Sequence, residues 1–301
     1  MTERGVFGHV LVTRGTEIDG TGTVGVPVFL RYFEHMRWEL MRDPRLGLLA
    51  EIHGGHFFVV REQVVEVRRR VGLGVALALE TRIVDVGRST VRLTHVARRV
   101  ADGALVAEAR VTGVWIGPAR RMVRLPEGFR ARVRAEHVGG SEAAPEQIAE
   151  ARGGGPSEAF ARSFIAPPEV VFPALGVAEG PPTVFPAEVA FEHVVVVPPR
   201  DLDVFLHVNA ATWLHYCDDT RVLGAAAGAL APELAAHGWV VRAGLFYGRE
   251  ASLGERLRIG VWWIDAVALG FACRRDGESE VVCAVRVDLA PGARAVASAS
   301  S

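Results

Sequence analysis

Residues 7–37 of this 301-residue chain align without a gap on residues 191–221 when 184 is added to each number. Nine of the 31 positions are identical: Phe7/Phe191, His9/His193, Val10/Val194, Val12/Val196, Asp19/Asp203, Val24/Val208, Leu30/Leu214, Tyr32/Tyr216 and Arg37/Arg221. Glu17/Asp201, Ile18/Leu202, Phe29/Trp213 and Glu34/Asp218 are conservative. A second correspondence joins FFVVR at 57–61 to WVVR at 239–242. Such self-similarity is the mark of a duplicated structural unit, so whatever this chain folds into must be built twice.

Each copy repeats one plan. A short apolar strand, FGHVLV or FEHVVVV, leads into a polar turn, and a helix follows with apolar side chains at three- and four-residue steps. These are Val26, Phe29, Leu30, Phe33 and Leu40 in the first copy and Trp213, Leu214, Cys217 and Leu223 in the second. Pro27 suits a first helical turn, where its missing N–H is not needed. Strand-like runs come next: HFFVVREQVVEVRR, VALALETRIVDV, STVRLTHVARR and ALVAEARVTGVWI, then WVVRAGLFYG, RLRIGVWWIDAV, ALGFACRR and EVVCAVRVDLA. Their β-branched enrichment and the DG, GRS and DGES turns between them predict antiparallel pairing. One helix across a curved antiparallel sheet, made twice, is an α+β architecture.

Between the copies, residues 126–187 are rich in Ala, Gly and Pro, with GGGP at 153–156, and read as a connection with a short helix near 141–152. The tail 292–301, ending ASASS, reads as disordered. A formal net charge of −1 argues against a nucleic-acid partner, because such domains present a basic face. No apolar run approaches the roughly 20 residues of a bilayer helix, and MTERGVFGHV has no signal pattern, so neither a membrane span nor export is expected. Cys217, Cys273 and Cys283 are odd in number and lack metal-ligand spacing. The expectation is a reduced, cytoplasmic protein with no metal and no cofactor.

Two segments carry a family resemblance. RDLDVFLHVN at 200–209 resembles the DLDVNQHVNN segment of the acyl-ACP thioesterases, with Asp203, His207 and Asn209 on its Asp, His and first Asn, and Phe205 in place of its Asn. DGTGTVGVPVFLRYFE at 19–34 resembles DPAGIVWYPNYHRWLD of the 4-hydroxybenzoyl-CoA thioesterase group, with Asp19 on the catalytic Asp. Phe246-Tyr247 stands where acyl-ACP thioesterases carry Glu-Cys. The resemblance implies a double hotdog: a hotdog domain at 1–125, the connection 126–187, and a second hotdog domain at 188–291, each a sheet wrapped around a long central helix. It also implies that the two helices pack back to back as an internal pseudo-dimer, with sites at the seam. A homodimer is a candidate further assembly.

Thioester hydrolysis needs a carboxylate to activate water or attack the carbonyl, and donors where oxyanion charge develops. Asp203 and Asp19 are the candidate carboxylates. Ala210 and Val26, seven residues after each, fall in the first helical turn, where free N–H groups and the positive dipole end meet a substrate oxygen. His207 is a candidate to orient a carboxylate, and Asn209 to cap the helix or bind substrate amides. The competing readings are structural: an aspartate before a helix commonly serves as a turn or cap, and His207 can be a satisfied histidine at the helix start. The implied partners are an acyl thioester on the phosphopantetheine arm of CoA or an acyl carrier protein. Arg68–Arg70 and Arg120, Arg121 and Arg124 are candidate phosphate or carrier contacts, or solvated charge. A non-catalytic acyl-binding protein and a hotdog dehydratase or hydratase are the alternatives. No HxFPGxP-like or GDxNPxH segment supports the latter.

Overall fold

Ten strands form where the β-branched runs lie: β1 (Val6–Val12), β2 (Phe57–Val67), β3 (Ala76–Val86), β4 (Thr90–Arg99) and β5 (Leu105–Ile116) in the first copy. The second contributes β6 (Phe191–Val196), β7 (Val240–Tyr247), β8 (Arg256–Asp265), β9 (Ala268–Arg275) and β10 (Val281–Leu289). The computed structural model describes residues 6–137, 188–235 and 240–290. All ten strands join one antiparallel sheet in the order β1-β3-β4-β5-β2-β7-β10-β9-β8-β6. Read outward from the centre, the two halves have the same order, which is the signature of a pseudo-twofold axis between β2 and β7. There the halves are stitched by Glu62↔Phe246, Gln63↔Leu245, Val64↔Gly244, Val65↔Ala243 and Glu66↔Arg242.

The helix of the first copy, α1 (Val26–Arg42), starts at Gly25 with Pro in its first turn, as its sequence predicts. Short α2 (Leu49–His53) follows it. The α1 face bearing Val26, Phe29, Leu30, Phe33 and Leu40 is buried against its sheet. Full burial of each large side chain of this kind contributes roughly 1.5–3 kcal/mol relative to exposure. The helix of the second copy, which we number α4 (Ala210–Ala226), buries Trp213, Leu214 and Cys217, but Leu223 is 43% exposed. The inward stripe passes instead through Thr220, Arg221 and Gly224, keeping the helical period, and Arg221 is only 1% exposed. The two helices pack against each other across the seam.

Residues placed with the connection by their composition form α3 (Glu127–His137), whose Phe129 and Val133 bury on the first half. The packed first half therefore extends beyond residue 125. The rest of the connection, including the helix expected at 141–152, and the tail lie outside the described residues.

Candidate active site

The turn before each helix is built identically. The main chain of Asp19 donates to Thr23 O at 2.9 Å and that of Asp203 to His207 O at 2.8 Å. Oδ1 of Asp19 accepts from the N–H of Thr21 and Thr23 at 2.8 and 3.4 Å, and Oδ1 of Asp203 from the N–H of Phe205 and His207 at 2.8 and 3.3 Å. Bridges Ile18↔Val24 and Leu202↔Val208 repeat it again, as do the bonds from the Tyr32 hydroxyl to Glu17 at 2.6 Å and from the Tyr216 hydroxyl to Asp201 at 2.7 Å. The structural reading of both aspartates is thus correct as far as Oδ1 goes. Oδ2 of Asp203 makes no hydrogen bond among the described residues, and Asp203 lines a cavity.

That cavity, of about 150 Å³, lies between the halves. Its mouth is polar and comes mainly from the second copy: Asp203, His207 and Ala210, with Tyr247, Arg249 and Glu250 from the end of β7. Its body is apolar and comes from the first copy: Leu40 and Met41 of α1, Val60, Val91, Leu93 and Val111 of the sheet, and Phe129 of α3. Phe205 stacks on Phe57 at 4.3 Å between ring centroids and lies 5.9 Å from Trp38, making an aromatic wall where the acyl-ACP thioesterase pattern has Asn.

Asn209 is the N-cap of α4, its Oδ1 accepting from Ala211 N–H at 2.8 Å. Its Nδ2 donates to both carboxylate oxygens of Glu34, on α1, at 2.8 and 2.9 Å. With Ala211 satisfied by the cap, the Ala210 N–H is left without an acceptor among the described residues, at the positive end of the helix, and Ala210 lines the cavity. Tyr247 donates from its hydroxyl to Ala210 O at 3.0 Å and accepts from Gln63 Nε2, so the helix start is tied to both halves of the seam. Burial pushes the Tyr247 phenol up, so it remains a neutral donor. His207 is buried; its Nε2 lies 3.0 Å from Glu250 Oε2 and against Arg120 Nη1, while Nδ1 is 3.9 Å from Asp203 Oδ1, too far for a hydrogen bond. Arg120 Nη1 also donates to Glu250 at 2.8 Å. Arg120 and Leu206 are the described non-glycine residues with positive φ, at 54° and 65°, and both flank His207. Strained backbone of this kind gathers at functional sites.

The pseudo-symmetric position has been emptied of such groups. Asp19 and Val26 line a crevice of about 20 Å³ together with Thr23, Val67 and Arg70, where the other end has His207, Tyr247 and Glu250. Gly25 stands in place of Asn209 and caps without a side chain. The second-half counterpart of the apolar cavity is likewise closed to about 20 Å³ around Leu214, Cys217 and Arg221. The sequence candidates Asp203, His207, Asn209 and Ala210 are therefore brought together, and Asp19 and Val26 are set apart from them.

Glu34, Tyr247 and Glu250 were not singled out as site residues by sequence reasoning, and Arg120 was named only as a phosphate or carrier contact. The Glu34/Asp218 pairing was the available signal for the first; the others reach the site only through sheet pairing and a loop after β5. Arg120 is engaged with Glu250 rather than free for a phosphate. Glu66 on β2 is buried and paired with Arg68 at 2.5 Å. Cys217, Cys273 and Cys283, scattered in sequence, converge in the second core, with Cys273 directly opposite Cys283 across the sheet. Burial pushes the Cys217 and Cys283 thiols up, so both stay protonated packing groups. Among the described residues no cluster of His, Cys, Asp and Glu is placed to hold a metal, and no helix is long and apolar enough to cross a membrane.

Residues 13–133 match the family model of the thioesterase-like superfamily. No curated protein sequence matches the chain. Among solved structures it is similar to an acyl-ACP thioesterase from Bacteroides thetaiotaomicron, at 14% identity and a TM-score of 0.69, over 95% of this chain and 98% of that one. It is also similar to the 12:0-ACP thioesterase from Umbellularia californica, at 14% identity and a TM-score of 0.66, over 94% of this chain and 96% of that one. The likeness covers both halves, so the chain is a double-hotdog protein, and residues 13–133 of its first half are similar to the thioesterase-like superfamily.

Proposed function

We propose that the chain hydrolyses an acyl thioester carried on a phosphopantetheine arm, of CoA or of an acyl carrier protein, at one site formed by the entrance of the second half and the cavity of the first. The observation that carries this reading is that Asp203 and Ala210 line one apolar cavity, with a carboxylate oxygen of the first and the N–H of the second unpartnered among the described residues. The acyl group enters the cavity and its carbonyl oxygen accepts from Ala210 N–H, where the helix dipole opposes developing negative charge. Asp203 takes a proton from water, whose oxygen adds to the carbonyl carbon. The tetrahedral oxyanion then collapses, the C–S bond breaks, and the thiolate recovers the proton from Asp203, releasing acid and thiol. His207, pressed between Asp203, Arg120 and Glu250, positions the Asp203 turn.

The test is hydrolysis of a panel of acyl-CoA and acyl-carrier thioesters by the full chain and by Asp203→Asn, Asp19→Asn and Glu34→Gln. Loss of a general base costs roughly 10²–10⁴-fold in rate. The loss in Asp203→Asn should exceed that in Asp19→Asn at least tenfold. A larger loss in Glu34→Gln than in Asp203→Asn would move the base to Glu34. Binding without turnover of any thioester would leave an acyl-binding protein.

A further inference from the structure

The duplicated fold provides its own control for one side chain of the cavity. Arg37 and Arg221 are the same position in the two copies, as are Glu34 and Asp218. In the closed half the pair satisfies itself: Arg221 donates from Nε and Nη2 to Asp218 Oδ1 at 3.0 and 2.6 Å, and from Nη1 to Leu234 O. In the open half the pair is split. Both oxygens of Glu34 are taken by Asn209 Nδ2, a group that Gly25 cannot supply in the other copy. Arg37 is left lining the cavity with no hydrogen bond among the described residues, and its Nη1 is shut off from water without a partner.

A guanidinium carries five donors in a fixed plane, and it keeps its charge even when burial works against it. Burial does lower the Arg37 pKa, and the nearby Glu34 charge opposes the fall. A plain hydrocarbon lying beside Arg37 would bury those donors unmade, which is a poor design for a hydrocarbon tunnel. Arg37 follows Glu34 by one helical turn, about 4.5 Å along α1, and so stands inward of the mouth where Glu34 meets Asn209. We infer that the acyl group accepted here carries a hydrogen-bond-accepting oxygen, a keto, hydroxyl or carboxylate group, a few carbons from its thioester carbonyl, and that Arg37 binds it. The inference rests on the cavity being the acyl site and deepens the hydrolase reading by naming the substrate class.

The experiment compares kcat/KM for N-acetylcysteamine thioesters of octanoate, 3-oxooctanoate, 3-hydroxyoctanoate and glutarate. At least one oxygenated acyl group should be preferred to octanoyl by the native chain, the one preferred telling which oxygen is read. Arg37→Met, and Arg37→Gln as a second variant in case the first misfolds, should lower the ratio of oxygenated to octanoyl turnover roughly tenfold or more. Octanoyl turned over as well as every oxygenated thioester, or a ratio unmoved by both variants, overturns the inference. Calorimetric binding of the non-hydrolysable amide analogues of the octanoyl and 3-hydroxyoctanoyl compounds to the native chain separates the two readings. Tighter binding of the hydroxylated analogue without any thioester turnover would sink hydrolysis and keep this inference; equal binding would sink the 3-hydroxyl as the group read by Arg37.

Discussion

Gly22 and Leu206 occupy the same turn position in the two copies and share its left-handed backbone, with φ of 79° and 65°. For a residue with a Cβ this conformation costs roughly 1–2 kcal/mol. Leu206→Gly removes that cost and, because Leu206 is 70% exposed, sacrifices little burial. Glycine adds freedom to the unfolded chain, which takes back about 0.4–1 kcal/mol. The net is a gain of about 0.5–1 kcal/mol, or roughly 1–4 °C in Tm for a domain of this size. Gly22→Leu is the reciprocal change. A Cβ at Gly22 meets nothing within 4 Å, so the strain less the same unfolded-chain term decides its effect, a net loss of similar size. Urea unfolding of both variants measures the pair. A destabilised Leu206→Gly, or a Gly22→Leu without cost, would refute the strain argument. If the strain serves to hold His207, the next residue, then the stabilised variant should also hydrolyse thioesters more slowly; undiminished turnover would show that the site does not use it.

Asn209→Ala removes both the cap of α4 and the partner of Glu34, for a loss of about 2–4 kcal/mol in chemical denaturation. Asn209→Asp keeps the cap but sets a carboxylate against Glu34, and should still be destabilised at neutral pH, less so as the pH falls and the pair binds a proton. His95 is buried with its Nδ1 2.7 Å from Thr81 Oγ1, and burial, followed by the charge of Arg37, holds its pKa well below the usual value. The folded state therefore refuses a proton that the unfolded chain accepts below about pH 6.5, so His95 should cost about 1.4 kcal/mol of stability per pH unit below that point. His95→Gln should flatten this part of the stability profile by that slope. The three buried cysteines should be silent to a disulfide reagent in the native chain and all react on unfolding; rapid labelling of any one without unfolding contradicts the packing described.

The strands and both helices were legible because their cause is local. Alternating and β-branched runs specify strands, and the buried stripe of α1 follows its 3.6-residue period through Phe29, Leu30 and Phe33. Leu223 broke from the expectation because Arg221 satisfies its donors on Asp218 and Leu234 and can take the inward position that a leucine was expected to share. The α3 segment misled because its Ala- and Arg-rich composition conceals two core anchors, Phe129 and Val133.

Duplication, fold class and the turn that presents Asp203 to a helix start are thus written in the sequence by itself, since each depends on neighbours along the chain or on self-similarity of the whole. Which of the two entrances opens on a cavity is not. It depends on residues far apart in number, Asn209 drawing Glu34 away from Arg37 across the seam and Tyr247 holding Ala210 within the second half, and on Arg221 closing the other half on Asp218 of its own helix. The pairing of β2 with β7 and the packing of α1 on α4 bring these groups together, so two sites of one sequence plan differ both in their own side chains and in what the opposite half brings to them.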